Sequence, residues 1–212
     1  MDISDQPQER RLAQTPGQDD PVLQSLEQYW QTLRHARQLP ARVDIAPGEI
    51  DHALPHAFIL QRVAPGVARF RVAGQRLHHL LKMDARGMPL ATLFLPQARQ
   101  QAQHLLELAF SGPAIVTIPL TSPGSLLRPA LTGTMLLLPL RDKEDKTTRM
   151  LGALVTDHDG GARPRRFAIP QDARIRHEPI GVQLAATQLI PRASAKGPDV
   201  ARPALKLVVN NG

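Results

Sequence analysis

The chain has 212 residues, is 42% hydrophobic and 21% charged, and carries a formal net charge of +7. It contains no cysteine, which excludes disulfides, zinc–thiolate sites, thioether-linked haem and cysteine nucleophiles. No apolar run approaches the roughly 20 residues that cross a bilayer, and the polar start MDISDQPQERR lacks the pattern of a secretory signal. We therefore expect one cytoplasmic domain with extensions.

The positive charge is concentrated toward the C-terminal end. Residues 1–20 contain two basic and five acidic side chains, whereas residues 159–212 contain nine and four. Aromatic residues, on which single-stranded bases would stack, make up only 3% of the chain, and Phe167 is the one aromatic residue of the last segment. We favour a solvated basic tail, with nucleic-acid binding through this tail and the strand arginines as the alternative function.

Residues 1–20 have no apolar periodicity and are predicted to be disordered. A helix is predicted to begin at Pro21, after the acidic pair Asp19-Asp20, and to continue until Pro40. Its apolar residues recur every three or four positions and form one face: Leu23, Leu26, Trp30 and Leu33. This face either packs on the core or contacts a partner or second copy, and we favour core packing.

A β-hairpin is predicted next. Residues 58–63 and 67–73 flank Ala64-Pro65-Gly66, in which proline sets φ at the first turn position and glycine accepts a positive φ. Alternation in the second strand predicts a buried pair and a pair on the opposite face: Phe70 and Val72 against Arg69 and Arg71.

After Gly74 the apolar spacing lengthens, which predicts a short helix from Gln75 to Met83. Its adjacent histidines, His78 and His79, point about 100° apart and do not form a compact metal site. The pair His52 and His56 has the i, i+4 spacing of zinc ligands, but Pro55 argues against a helix through both. We therefore predict no metal site.

A longer helix is predicted over residues 96–111, followed by three strands over residues 114–121, 130–141 and 147–157. Pro119 and Pro139 interrupt apolar runs, so each is expected at the edge, end or bulge of its strand. The domain is therefore predicted to span residues 21–158.

Residues 159–212 are rich in proline, glycine and arginine. They are predicted to be largely irregular, because they bury too little apolar surface to offset the entropy of ordering. Small elements remain open around residues 179–190 and 205–209.

Short motifs occur in a fixed order between Trp30 and Leu154: Trp30 with Leu33-Arg34, PARVDIAP (40–47), Leu54-Pro55-His56, RFRVAGQRL (69–77), RGMPL (86–90), LLPLRD (137–142) and LGAL (151–154). With the element order, they resemble a PAS domain that carries an N-terminal helix. In particular, they resemble a proteobacterial PAS-like family formerly described as a domain of unknown function.

The resemblance implies an α+β fold, with a five-stranded antiparallel sheet and helices packed on one face around a small pocket. The N-terminal helix precedes this unit and the basic tail follows it. Candidates for lining the pocket are apolar residues expected between the long helix and the sheet: Phe70, Val72, Leu77, Leu81, Phe94, Leu105, Ala109, Ile118 and Leu136. Domains of this class often pair through the N-terminal helix, which makes Leu23, Leu26, Trp30 and Leu33 the dimer or partner candidates.

The expected function is a non-enzymatic sensory or adaptor domain that binds a small ligand or a partner protein and signals in trans. The chain has no G-x-S-x-G motif, no glycine-rich phosphate loop and no carboxylate pair on an apolar face. The cofactor stays open: flavin chemistry through a cysteine is excluded, and haem is an alternative through His104, because similar haem-binding PAS domains carry their ligand on this helix.

Overall fold

The computed structural model describes residues 20–34 and 39–181. Expectations for residues 1–19 and 182–212, including the disordered N-terminus and an element near residue 205, lie outside the described residues. The elements in chain order are α1 (Pro21–Thr32), β1 (Ala57–Ala64), β2 (Val67–Ala73), α2 (Gln75–Leu81), α3 (Arg99–Ser111), β3 (Ala114–Ser122), β4 (Leu131–Arg141), β5 (Thr147–Thr156) and β6 (Arg176–Pro179).

The strands form one antiparallel sheet in the order β2-β1-β5-β4-β3-β6. The α+β fold class predicted from the sequence is confirmed, with six strands in place of five. The additional strand, β6, pairs with residues 114–117 of β3. Pro119 pairs only with β4, and Pro139 pairs only with β5. Each proline thus lies where its strand has a paired neighbour on one side only, which suits a residue without an N–H.

Helices cover both faces of the sheet. On one face α2 and α3 bury an apolar cluster that includes Met135 and Leu137, and on the other face α1 buries a cluster that includes Leu136 and Leu138. Alternate residues of β4 therefore enter different cores. This arrangement explains why β4 reads as a nearly continuous apolar run, since both sides of the strand are buried.

Helix α1 begins as its sequence predicts. The carboxylate of Asp20 accepts a hydrogen bond from the N–H of Val22 at 2.8 Å, and Pro21 occupies the first helical turn, where its missing N–H has no cost. The helix ends at Thr32, well before Pro40, so the predicted end is wrong.

Gly74 connects β2 to α2, as expected, but its φ of −71° is one that any residue adopts. Glycine is required here for space, because a Cβ at this position would overlap the backbone carbonyls of Leu54 and Pro55. The segment before β1 thus packs directly against the corner, and the N–H of Arg76 donates to Pro55 O at 2.8 Å.

A β-bulge reverses the predicted orientation of Val72. Ile59 pairs with Val72, whereas the next residue, Leu60, pairs with Phe70, so Arg71 is an extra residue in β2. Phe70 consequently points toward α3 and is fully buried, while Val72 lies on the opposite face and is 47% exposed. The prediction that both side chains are buried together is wrong for Val72.

Residues 159–181, beyond the predicted domain boundary at residue 158, pack on the preceding residues. Phe167 is fully buried, and its backbone exchanges hydrogen bonds of 2.8 Å with Leu93 O and the N–H of Leu95. Ala168 likewise exchanges backbone hydrogen bonds with Thr121. Backbone pairing to distant residues therefore orders a segment whose composition indicates irregular structure.

No helix among the described residues is both long and apolar enough to cross a bilayer.

Candidate functional site

The space between α3 and the sheet contains seven of the nine residues predicted to line a pocket. All seven are buried and belong to one apolar cluster: Phe70, Leu77, Leu81, Phe94, Leu105, Ala109 and Ile118. The cluster also contains Phe58, whose ring meets that of Phe70 edge to face with centroids 5.4 Å apart. The seven residues are thus brought together, and they pack mainly on one another.

The other two pocket candidates lie elsewhere. Val72 is displaced by the bulge described above, and Leu136 is buried on the α1 side of the sheet. The prediction for Leu136 is wrong because a strand buried on both sides shows no polar alternation that would reveal its orientation.

The residues proposed for dimer or partner contacts are largely taken up by the chain's own core. Leu23, Leu26 and Trp30 are at most 3% exposed, and Leu33 packs against the same cluster. The indole N–H of Trp30 also donates to Pro139 O at 3.0 Å. Leu23, Leu26 and Trp30 therefore pack on the chain's own core, and Leu33 is only partly buried at its edge.

A carboxylate on α3 holds the helix to the β1–β2 hairpin. Glu107 accepts hydrogen bonds from the N–H of Gly66 (2.7 Å) and the hydroxyl of Ser111 (2.7 Å), and it forms an ion pair with Arg62. These contacts lower the pKa of Glu107, with the Gly66 N–H as the largest cause. Gly66 itself has a φ of +66°, which favours glycine at this turn.

The histidines noted in the sequence differ in their surroundings, and His78 has structural contacts. On α2, the N–H of Ala85 donates to Nδ1 of His78 (3.2 Å), and Nε2 of His78 contacts Ala73 O (3.1 Å). His104, the haem-ligand candidate, is exposed on α3, outside the apolar cluster. No group of three or more His, Asp or Glu side chains suited to a metal ion occurs within residues 20–34 and 39–181.

A surface groove of about 630 Å³ lies between the β3–β4 loop and the segment after β5. Leu126 and Leu127 form the tip of the β3–β4 hairpin and are 104% and 96% exposed. The basic residues Arg128, Arg163 and Arg165 line the groove with them. The sequence signal for this feature is an apolar pair inside the turn-rich segment SPGSLLRP, which sequence reasoning missed.

Arg165 forms the floor of this groove and is only 1% exposed. Its guanidinium donates to Gly160 O at 2.7 Å and to Pro129 O at 3.0 Å, which ties the segment after β5 to the β3–β4 loop. Burial, followed by repulsion from Arg128, lowers the pKa of Arg165. It remains a positive charge at neutral pH.

Comparison with known proteins identifies the class. A family model described as a PAS domain matches residues 18–155, which is more than half of the chain. This chain therefore belongs to the PAS domain family, a class of sensory and adaptor domains, and the predicted resemblance is confirmed. No curated protein matches the chain.

Two solved structures show weaker similarity. The first, described as "Structure of an RNA-binding Light-Oxygen-Voltage Receptor", is 16% identical with a TM-score of 0.40 over 53% of this chain and 33% of that chain. The second, described as "Flavin Analogue Sheds Light on Light-Oxygen-Voltage Domain Mechanism", is 16% identical with a TM-score of 0.37 over 52% of this chain and 83% of that chain. This chain thus spans about a third of the first of these proteins.

Proposed function

We propose that this chain is a non-enzymatic cytoplasmic PAS adaptor that binds a partner through its surface and signals in trans. The observation that supports this function is the packing between α3 and the sheet. Five phenylalanine side chains in that cluster are at most 3% exposed: Phe58, Phe70, Phe94, Phe110 and Phe167. This packing supports the proposal, because densely packed phenylalanine side chains leave little volume for a sensory ligand.

The proposal chooses between two versions of the sequence-based hypothesis. A sensor that binds a small ligand needs an enclosed space of several hundred Å³ among apolar side chains. Within the described residues, the groove of about 630 Å³ next to Leu126 is bordered by surface residues. A concave region beside the buried residues Leu90 and Leu106, at the edge of α3, has a volume of only about 20 Å³. A partner protein that binds an exposed surface is more consistent with the positions of these concave regions.

The nucleic-acid alternative is weakened by the position of Phe167. This residue, the one aromatic side chain of residues 159–212, is fully buried in the core and presents no ring on which a base could stack. Arginines alone would provide salt-dependent binding of low specificity.

Native mass spectrometry of the full chain, purified without added ligand, tests the proposal. We expect the mass of the polypeptide alone, and an absorbance spectrum without flavin or haem bands. We also expect no thermal shift when flavin mononucleotide or haemin is added. A stoichiometric small molecule that is lost when Ala109 is replaced by leucine would overturn the proposal, because Ala109→Leu enlarges a side chain inside the proposed filled space.

A further inference from the structure

We propose that the β3–β4 hairpin tip and the arginines beside it form a docking site for an anionic lipid surface. This inference concerns a different surface from the α3 core and goes beyond the adaptor function. It would hold whether the domain binds a protein partner or not.

The hairpin tip presents two leucines in a defined conformation. Ser125 and Arg128 exchange backbone hydrogen bonds of 2.7 and 3.0 Å, which places Leu126 and Leu127 at the two central positions of a tight turn. Such positions normally carry glycine, asparagine, aspartate or proline. Leu126 and Leu127 are almost completely exposed, so they contribute nothing to the packing of this domain.

Positive charge surrounds the tip. Arg128, Arg163 and Arg165 line the same groove as the leucines, together with His158, and no aspartate or glutamate is among its lining residues. None of these arginines forms an ion pair with a carboxylate in the described part of the chain. Asp157 lies beside the groove, where it accepts hydrogen bonds from Thr132 and is 3.7 Å from His158.

The hairpin is held in place relative to the basic segment. The guanidinium of Arg128 donates to Pro164 O at 3.3 Å, and Arg165 donates to Pro129 O at 3.0 Å. The leucines and the exposed Arg163 can therefore approach a flat surface together, whereas Arg165 is buried within the fold. A tip held by these hydrogen bonds would lose less conformational entropy on binding than an unrestrained loop.

The chemistry of the patch favours a lipid surface over a peptide. Leucine is under-represented among the residues that dominate protein interfaces, where anchors are buried in a partner's pocket. At a membrane interface, apolar side chains enter the acyl boundary while neighbouring arginines attract anionic headgroups. Two protruding leucines bordered by arginines match the second arrangement.

Vesicle co-sedimentation with the full chain tests the proposal. We expect binding to phosphatidylcholine vesicles that contain about 30% phosphatidylserine, and much weaker binding to phosphatidylcholine alone. Binding to the anionic vesicles should fall as the salt concentration rises toward about 1 M, where charges are screened within about 3 Å.

Two variants separate the apolar and electrostatic contributions. Leu126→Ser with Leu127→Ser should weaken binding by about tenfold or more, because neither side chain can then insert its apolar surface into the membrane. Arg128→Gln with Arg163→Gln should weaken it by roughly fivefold for each arginine. The matched controls are Val43→Ser, an exposed apolar residue elsewhere, and Arg69→Gln with Arg71→Gln on β2; both should bind as the parent does.

Insertion of the tip can be measured directly, because the chain has no cysteine. An environment-sensitive dye attached to Leu127→Cys should shift its emission to the blue on anionic vesicles, whereas the same dye on Val43→Cys should not. Equal shifts at both positions, no vesicle binding, or vesicle binding that is insensitive to the leucine variant would each overturn the proposal. Preferential binding of polyglutamate or single-stranded RNA that depends on the arginines alone would also overturn it.

Discussion

Glu107 is a side chain whose contacts join two elements. It lies on α3, but it accepts a hydrogen bond from the N–H of Gly66 in the β1–β2 turn, which is the largest cause of its lowered pKa, and it forms an ion pair with Arg62 of β1. The charged form accepts all of these hydrogen bonds. A protonated carboxyl would accept fewer, which is why the folded state lowers the pKa.

This residue predicts a pH dependence of stability. Because the pKa of Glu107 is lowered on folding, its contribution is present above its ordinary value of 4.5 and is lost as the pH falls through the folded value. Glu107→Gln should therefore be less stable than the parent in urea unfolding at pH 7, and the difference should shrink at each step below pH 4.5. Glu49→Gln, at an exposed carboxyl, serves as the control. A difference that is the same at every pH would contradict this prediction.

At the scale of elements, the bulge in β2 decides which side chains enter the core. Local alternation predicts that Phe70 and Val72 lie on the same face, which would be correct if the strand had no bulge. The extra residue, Arg71, moves Val72 to the opposite face. The local pattern of apolar and polar residues gives no sign of this bulge. Arg71 also donates to Gln61 Oε1 of the neighbouring strand at 2.6 Å.

Alanine substitutions at the two positions measure the effect of the bulge. Phe70→Ala should lower the free energy of unfolding by about 3–5 kcal/mol, because it leaves a cavity at a fully buried ring. Val72→Ala should change it by about 0.5 kcal/mol or less, as for other surface positions. The measurement is urea unfolding followed by circular dichroism. Comparable losses at both positions would mean that the two side chains share a face.

At the scale of the whole molecule, residues 159–181 contact the elements on both faces of the sheet. On the α3 side, Phe167 enters the core and pairs with the segment before α3. On the α1 side, Arg176 of β6 forms a two-pronged ion pair with Glu27, with N–O distances of 2.7 and 2.8 Å. The contact raises the pKa of Arg176. These contacts lead us to expect that residues 159–181 contribute to the stability of the fold.

Truncation tests whether residues 159–181 contribute to the stability of the fold. A chain that ends at residue 158 loses Phe167, Arg165 and β6, and we expect it to be insoluble or to unfold at a much lower temperature. A chain that ends at residue 181 keeps every contact described here, and we expect it to fold. Differential scanning calorimetry of both would show the contrast. Equal melting temperatures would place the boundary where the sequence predicted it.

The sequence by itself determined the element order, the fold class and most strand limits, because these depend on local periodicity and on prolines and glycines that act within a few residues. Every predicted helix and strand of the core is observed, and the PAS resemblance is confirmed. The sequence also correctly indicated that the clustered α1 residues, such as Trp30, pack on the core.

Only the tertiary structure decided the face of Leu136, the exposure of Val72 and the burial of Phe167. Each depends on pairing between residues far apart in the chain, and neither apolar periodicity nor composition records that pairing. The same holds for the groove, because the hairpin tip at Leu126 and the arginines after β5 become neighbours only when β4 and β5 pair.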